Sequence, residues 1–237
     1  RALSPESAAV VEAHLKKRGI RIRVNAPLED IRIDQGAIAG IKAGGEWIEA
    51  STLLVTAGVA PDTAFLEGAG LLTEGQLVVS TALQTLDPVI FAAGDVAVIA
   101  AQGGERVSPN TWPQALSQGR LAAENCLRAV PVPHRDLTRV NAMELHGLAM
   151  VILGPPVEGA EVAAYSQGAV RRELFLVGGK PVGGALIGDI SAAGTLHALI
   201  NAGRELRETD AALLKPRARK VIPFPARAAR KRALVLP

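Results

Sequence analysis

The sequence predicts an α/β protein: helices and short strands alternate through its first part, and a run of strands with one closing helix follows. Three observations point there. Apolar residues make up 49% of the chain and aromatic residues only 3%, so its bulk is aliphatic, which suits helices layered on sheets. The apolar stretches are short and punctuated by 24 Gly and 15 Pro. Their spacing changes along the chain between the alternation of a strand and the wider period of a helix. At 237 residues there is room for one large domain or two modest ones.

The elements follow in order. Ser4-Pro5-Glu6 reads as a helix start, with a Ser cap and a proline where its missing N–H costs nothing. Val10, Val11 and Leu15 give this helix its apolar face, and Gly19 ends it. Ile20, Ile22 and Val24 alternate with polar residues as a half-buried strand would. Residues 28–34, 37–43 and 46–50 read as an antiparallel meander with turns at Gln35-Gly36 and Gly44-Gly45. Leu53 to Thr56 is apolar throughout, the pattern of a strand buried in a parallel sheet. Leu77-Val78-Val79 and Val89 to Ala93 are further strands, the second stopping at Gly94-Asp95. Asn110 or Thr111 caps a long helix that runs to about Val130. Pro131-Val132-Pro133 then forms a hinge. Beyond it, residues 138–145, 148–153, 161–166, 171–177 and 181–187 read as strands, and 191–202 as a helix stopped by Gly203.

Charge and cysteine content exclude several classes. The net charge is +3, but the stretch 211–237 holds eight basic residues and no acidic one. The remaining 18 basic residues face 23 acidic ones, a balance of −5, so a mildly acidic body carries a basic tail. With one Phe and no other aromatic in it, the tail reads as solvated or partner-docking rather than as a nucleic-acid binder. A single Cys excludes an internal disulfide and any CxxC pair, and a reducing cytoplasm is the default. Cys126, set among Ala and Leu, reads as a core residue. No apolar run is long enough for a membrane helix, and no signal peptide is expected. No His pair with a carboxylate has metal-ligand spacing. His14 reads as solvated, His134 as part of the hinge, and neither His146 nor His197 as catalytic.

The most informative stretch is Thr85-Leu86-Asp87-Pro88-Val89-Ile90-Phe91-Ala92-Ala93-Gly94-Asp95. Glycine permits a sharp turn or close approach, and a carboxylate set there can accept hydrogen bonds from a polyol. The stretch resembles the T-x-x-P-x-x-[FY]-A-x-G-D motif of the FAD-dependent pyridine nucleotide reductases. About thirty residues upstream, Leu53 to Asp62 is similar to that family's strand and G-x-x-P-N turn, with Asp62 replacing Asn. Trp112-Pro113-Gln114-Ala115-Leu116-Ser117-Gln118-Gly119 opens a stretch similar to its W-x-x-A-x-x-Q-G-x-x-A-A-x-N helix. Residues 141–147 and 180–189 resemble the C-terminal domains of nitrite reductase large subunits and rubredoxin reductases.

The resemblance implies a partial Rossmann-like FAD/NAD-binding domain and a C-terminal α+β interface domain. Its divisions are 1–57 (rear of the NAD-binding domain), 58–135 (C-terminal part of the FAD-binding domain), 136–206 (interface domain) and 207–237 (basic tail). It implies that Asp95 holds the ribityl end of FAD and that Gly94 allows the approach. It also implies that the helix start at Thr111, Trp112, Pro113, Gln114 and Ala115 faces the flavin pyrimidine. Electrons would pass from NAD(P)H through FAD to an unidentified acceptor, with a homodimer as the implied assembly. No GxGxxG loop occurs, and the chain starts at Arg1 just ahead of a helix. Both phosphate loops are therefore expected on a missing N-terminal FAD/NAD-binding portion, without which the piece would be inactive. The alternative expectation is a non-catalytic dimerisation or docking module that binds no cofactor.

Overall fold

The computed structural model describes residues 2–215, apart from 102, 103, 105, 109, 136, 137, 208, 209 and 211. Helix α1 is Pro5–Lys16. The Ser4 hydroxyl accepts the Ser7 N–H at 3.1 Å, and Pro5 fills the first turn. Gly19, with φ +78°, turns the chain away just after the helix. The strand expected at Ile20 to Asn25 does not form. A strand exists only where a neighbour takes its N–H and C=O groups, and no described strand runs alongside this segment.

The meander forms as read. Strands β1 (Leu28–Asp34), β2 (Ala37–Ala43) and β3 (Glu46–Glu49) pair antiparallel in that order. Both connecting dipeptides take positive φ, at Gln35-Gly36 and at Gly44-Gly45, the geometry that follows strand twist in a two-residue turn. The Arg32 guanidinium lies 5.3 Å from the Trp47 ring centre. Leu53 to Thr56 is the second correction: this apolar run pairs with no described strand, and Leu54 is 83% exposed.

The middle of the chain builds a small three-stranded sheet. Strand β4 (Leu77–Val79) runs parallel to β5 (Ala97–Ala100), and β6 (Arg106–Val107) pairs antiparallel to β5. Val79, Leu83, Ala97 and Ile99 pack against Ala122 of helix α2 (Trp112–Cys126). The buried stripe of α2 is largely polar: Gln114, Gln118 and Asn125 share it with Ala122. Asn125 ties two segments together. Its amide nitrogen donates to Ala82 O and Val132 O, each at 2.9 Å, and its oxygen accepts the Val132 N–H at 2.9 Å. That accounts for all but one of its bonding positions and fixes the proline hinge against the small sheet. The helix stops at Cys126 rather than near Val130. Cys126 is exposed, not core, because it lies a hundred degrees round the helix from Asn125, the last residue of the buried stripe.

The last unit has three layers. Strands β7 (Val140–Leu145), β8 (Leu148–Leu153), β9 (Glu161–Gln167), β10 (Val170–Val177) and β11 (Lys180–Ile187) form an antiparallel sheet ordered β7-β8-β11-β10-β9. Side chains alternate between its faces. Val151, Leu153, Leu174 and Leu186 meet Leu196 and Leu199 of helix α3 (Ala193–Ala202), which Gly203 ends at φ +58°. On the other face Leu148, Met150, Ile152 and Ile187 meet Val10 and Val11 of α1. The Ser4 hydroxyl donates to the buried Glu173 carboxylate at 2.8 Å, and Arg171 bridges Glu173 and Ser7.

This packing corrects the reading of His14 and locates His134 within the hinge. His14 is half-buried rather than solvated, and its Nε2 lies 3.0 Å from Leu145 O at the β7–β8 turn. His134 is buried, its backbone N–H donating to Thr81 O at 2.7 Å. Leu214, inside the stretch read as tail, is buried with the α3 cluster, and Leu213 O accepts from Arg172 at 2.7 Å. Residues 216–237 of the basic tail lie outside the described residues. Among the described residues no helix is long and apolar enough to cross a membrane.

Candidate functional site

The Gly94-Asp95 corner lies directly against the second turn of α2. The Gly94 N–H donates to Gln118 Oε1 at 2.8 Å, and a Cβ built on Gly94 would meet the Ala115 methyl at 3.7 Å. Gly94 has φ +82°, where an L side chain costs about 1–2 kcal/mol. The sequence therefore needs glycine here for its backbone conformation, since an added methyl would make only ordinary contact with Ala115.

The corner does not close a strand, as the sequence suggested; it precedes one. Asp87 folds the preceding segment into a turn, accepting the Ile90 N–H at its backbone oxygen and the Val89 N–H at its carboxylate, both at 3.0 Å. Pro88 and Val89 are spent in that turn, and only Phe91 makes a single bridge, to Gln84. Gly94 O then accepts the Ala97 N–H at 3.0 Å and β5 begins. Asp95 is exposed, and its carboxylate forms no bond with the described residues.

Helix α2 starts with unmet polar groups. Thr111 holds the cap position, with extended φ −134° and ψ 148°, but its hydroxyl makes no capping bond. Asn110 precedes it at φ +46°. Asn110 Oδ1, Thr111 Oγ1 and Gln114 Oε1 are buried without a partner among the described residues. Gln114 is only 5% exposed, and its Nε2 donates to Thr138 O at 3.3 Å. A buried oxygen left unmatched costs about 1–3 kcal/mol, so these three atoms call for a donor. No acidic side chain lies in the first turn to offset the positive end of the helix. Trp112 is 77% exposed, Pro113 is exposed beside it, and Ala115 is half-buried facing Gly94.

The structure thus brings Gly94 and Ala115 together and sets Gln114 in the same helix face. It leaves Asp95 and Trp112 facing outward. Gln118, which fixes the corner to the helix, was visible in the sequence as the glutamine of the helix motif, but not as a site residue. A carboxylate, a helix N-terminus and buried acceptor oxygens suit a ligand that combines hydroxyl groups, N–H donors and electron-rich carbonyls. FAD carries all three, and the residues present fit it. No metal-binding group of His, Cys, Asp or Glu occurs among the described residues.

Residues 1–119, half of the chain, match the family described as pyridine nucleotide-disulphide oxidoreductase. The chain belongs to this family. It is 24% identical over 188 residues to an NADH oxidase of Methanocaldococcus jannaschii, covering 77% of this chain and 42% of that protein. To a rubredoxin-NAD(+) reductase of Pseudomonas putida it is 27% identical over 180 residues, covering 70% of this chain and 47% of the relative. The chain spans about half the length of these relatives. A ferredoxin reductase of Rhodopseudomonas palustris, of the CYP199A2 system, shares the fold with TM-score 0.80 at 20% identity, covering 90% of this chain and 53% of the other.

Proposed function

We infer that this chain is the C-terminal part of a flavoprotein oxidoreductase that takes electrons from NAD(P)H through FAD to a further acceptor. One observation carries the reading: the Gly94-Asp95 corner is bonded to a helix whose start holds three unmatched buried oxygens. Held there, FAD would supply the hydride and electron-transfer chemistry, and the residues of this chain would bind and orient it. Asp95 accepts hydrogen bonds from the ribityl hydroxyls. The first turn of α2, from Thr111 to Ala115, presents its N–H groups and positive end to the flavin carbonyls. Gln114, through its free oxygen, takes an N–H or O–H donor.

No GxGxxG loop occurs in this sequence; in this reading an N-terminal FAD/NAD-binding portion carries the glycine-rich loops that hold pyrophosphate. The exposed apolar segment around Leu54, Val55 and Val59 is the natural place for that portion to pair. The same surface supports a second reading, in which the chain is a non-catalytic docking or dimerisation module. FAD titrated into the chain, alone and with its N-terminal portion, separates the two. A yellow complex that Asp95→Ala weakens is expected. A yellow complex indifferent to that change removes the assigned role of Asp95, and no flavin binding to either form leaves the docking reading.

A further inference from the structure

A cleft of about 920 Å³ lies between the small middle sheet and the five-stranded sheet, within the size range of small-molecule sites. Its walls differ in chemistry. Ile152, Val157 and Val182 give it an apolar side, while Arg106, Arg135 and Arg139 stand around it, and no carboxylate lines it among the described residues. Arg106 is already paired with Glu74 at 2.8 Å. Arg135 and Arg139 are exposed and form no side-chain hydrogen bond or ion pair with the described residues. Two guanidinium groups with no acidic partner among the described residues, beside an apolar wall, attract a molecule with a hydrophobic body and a negatively charged end.

We propose that this cleft is a binding site for a small organic anion, anchored by Arg135 and Arg139 with its apolar body against Ile152, Val157 and Val182. Arg106, neutralised by Glu74, contributes less. Thr138 lines the same cleft and accepts the Gln114 amide through its backbone oxygen, so the site adjoins the start of α2. Resting on the reductase reading above, that adjacency sets the bound anion beside the helix start assigned to the flavin.

The test uses the 237-residue chain without flavin and needs two probes, 2-naphthoate and the uncharged 2-naphthamide, titrated by calorimetry. The naphthoate is expected to bind one to one and the amide about tenfold more weakly. The paired substitution Arg135→Gln with Arg139→Gln is expected to lower naphthoate affinity by about tenfold, the effect of two solvent-screened charges. Both side chains are exposed, so the variant keeps its fold, which far-UV circular dichroism checks. If it does not, the ratio of the two probes on the unaltered chain still decides. Equal affinity for naphthoate and amide, no naphthoate binding, or naphthoate binding indifferent to the two arginines overturns the site. A chain that binds FAD with its N-terminal portion but not naphthoate refutes the cleft and leaves the reductase reading intact.

Discussion

At the scale of single residues, Gln118 and Asp95 separate stability from binding. Gln118→Leu leaves the Gly94 N–H without its acceptor, and a loss of about 1–3 kcal/mol in urea unfolding is expected. Asp95→Ala removes an exposed carboxylate bonded to nothing described, so a change within about 0.5 kcal/mol is expected in the same assay. A large loss for Asp95→Ala would assign it to the fold instead. Asp210 contributes to acid sensitivity. The Arg204 guanidinium at 2.8 Å and the Arg207 N–H at 2.9 Å hold its carboxyl at about 2, against a usual 3.8, although partial burial opposes them. A depressed carboxyl stabilises the fold above its unfolded value and loses that contribution as pH falls. The chain should therefore weaken between about pH 4 and pH 2, and Asp210→Asn should flatten that part of the stability profile.

Among the elements, α3 carries more of the core than its ten residues suggest. Leu196 is fully buried against the five-stranded sheet, and Leu196→Ala should cost about 2–5 kcal/mol. Leu116 of α2, 63% exposed, should tolerate alanine within about 0.5 kcal/mol. Chemical denaturation of both variants checks the contrast. Elements whose partners are sequence neighbours were legible in the sequence: the meander with its two glycine turns and the hairpins β7–β8 and β10–β11 stand where alternation and turn residues place them. Elements that need distant partners were not. Ile20 to Asn25 and Leu53 to Thr56 have the pattern of strands, but pattern supplies only a face, and a ladder also needs an adjacent backbone. At the site, the glycine of the corner and the start of α2 were readable because each follows from local chemistry. Their bond through Gln118 was not, since it joins residues 24 apart. Val89 and Ile90 misled because Asp87 captures their N–H groups before a strand can begin.

For the molecule as a whole, the main division is between a well-covered C-terminal unit and an apolar front that nothing described covers. The five-stranded sheet has a helix on each face, whereas Leu54, Val55 and Val59 stand in solvent. Exposed apolar surface of this kind drives association. Leu54→Asp combined with Val59→Asp should reduce self-association in sedimentation without shifting the unfolding midpoint. A lower midpoint would show that these residues are buried in the free chain. The placing of the two tryptophans has an optical consequence. Trp47, stacked beneath Arg32 in the meander, and Trp112, open to water at the head of α2, form two native fluorophores in separate regions. Emission from a Trp47→Phe chain would report only on the helix head, so quenching by an arriving chromophore could be followed there without attaching a dye.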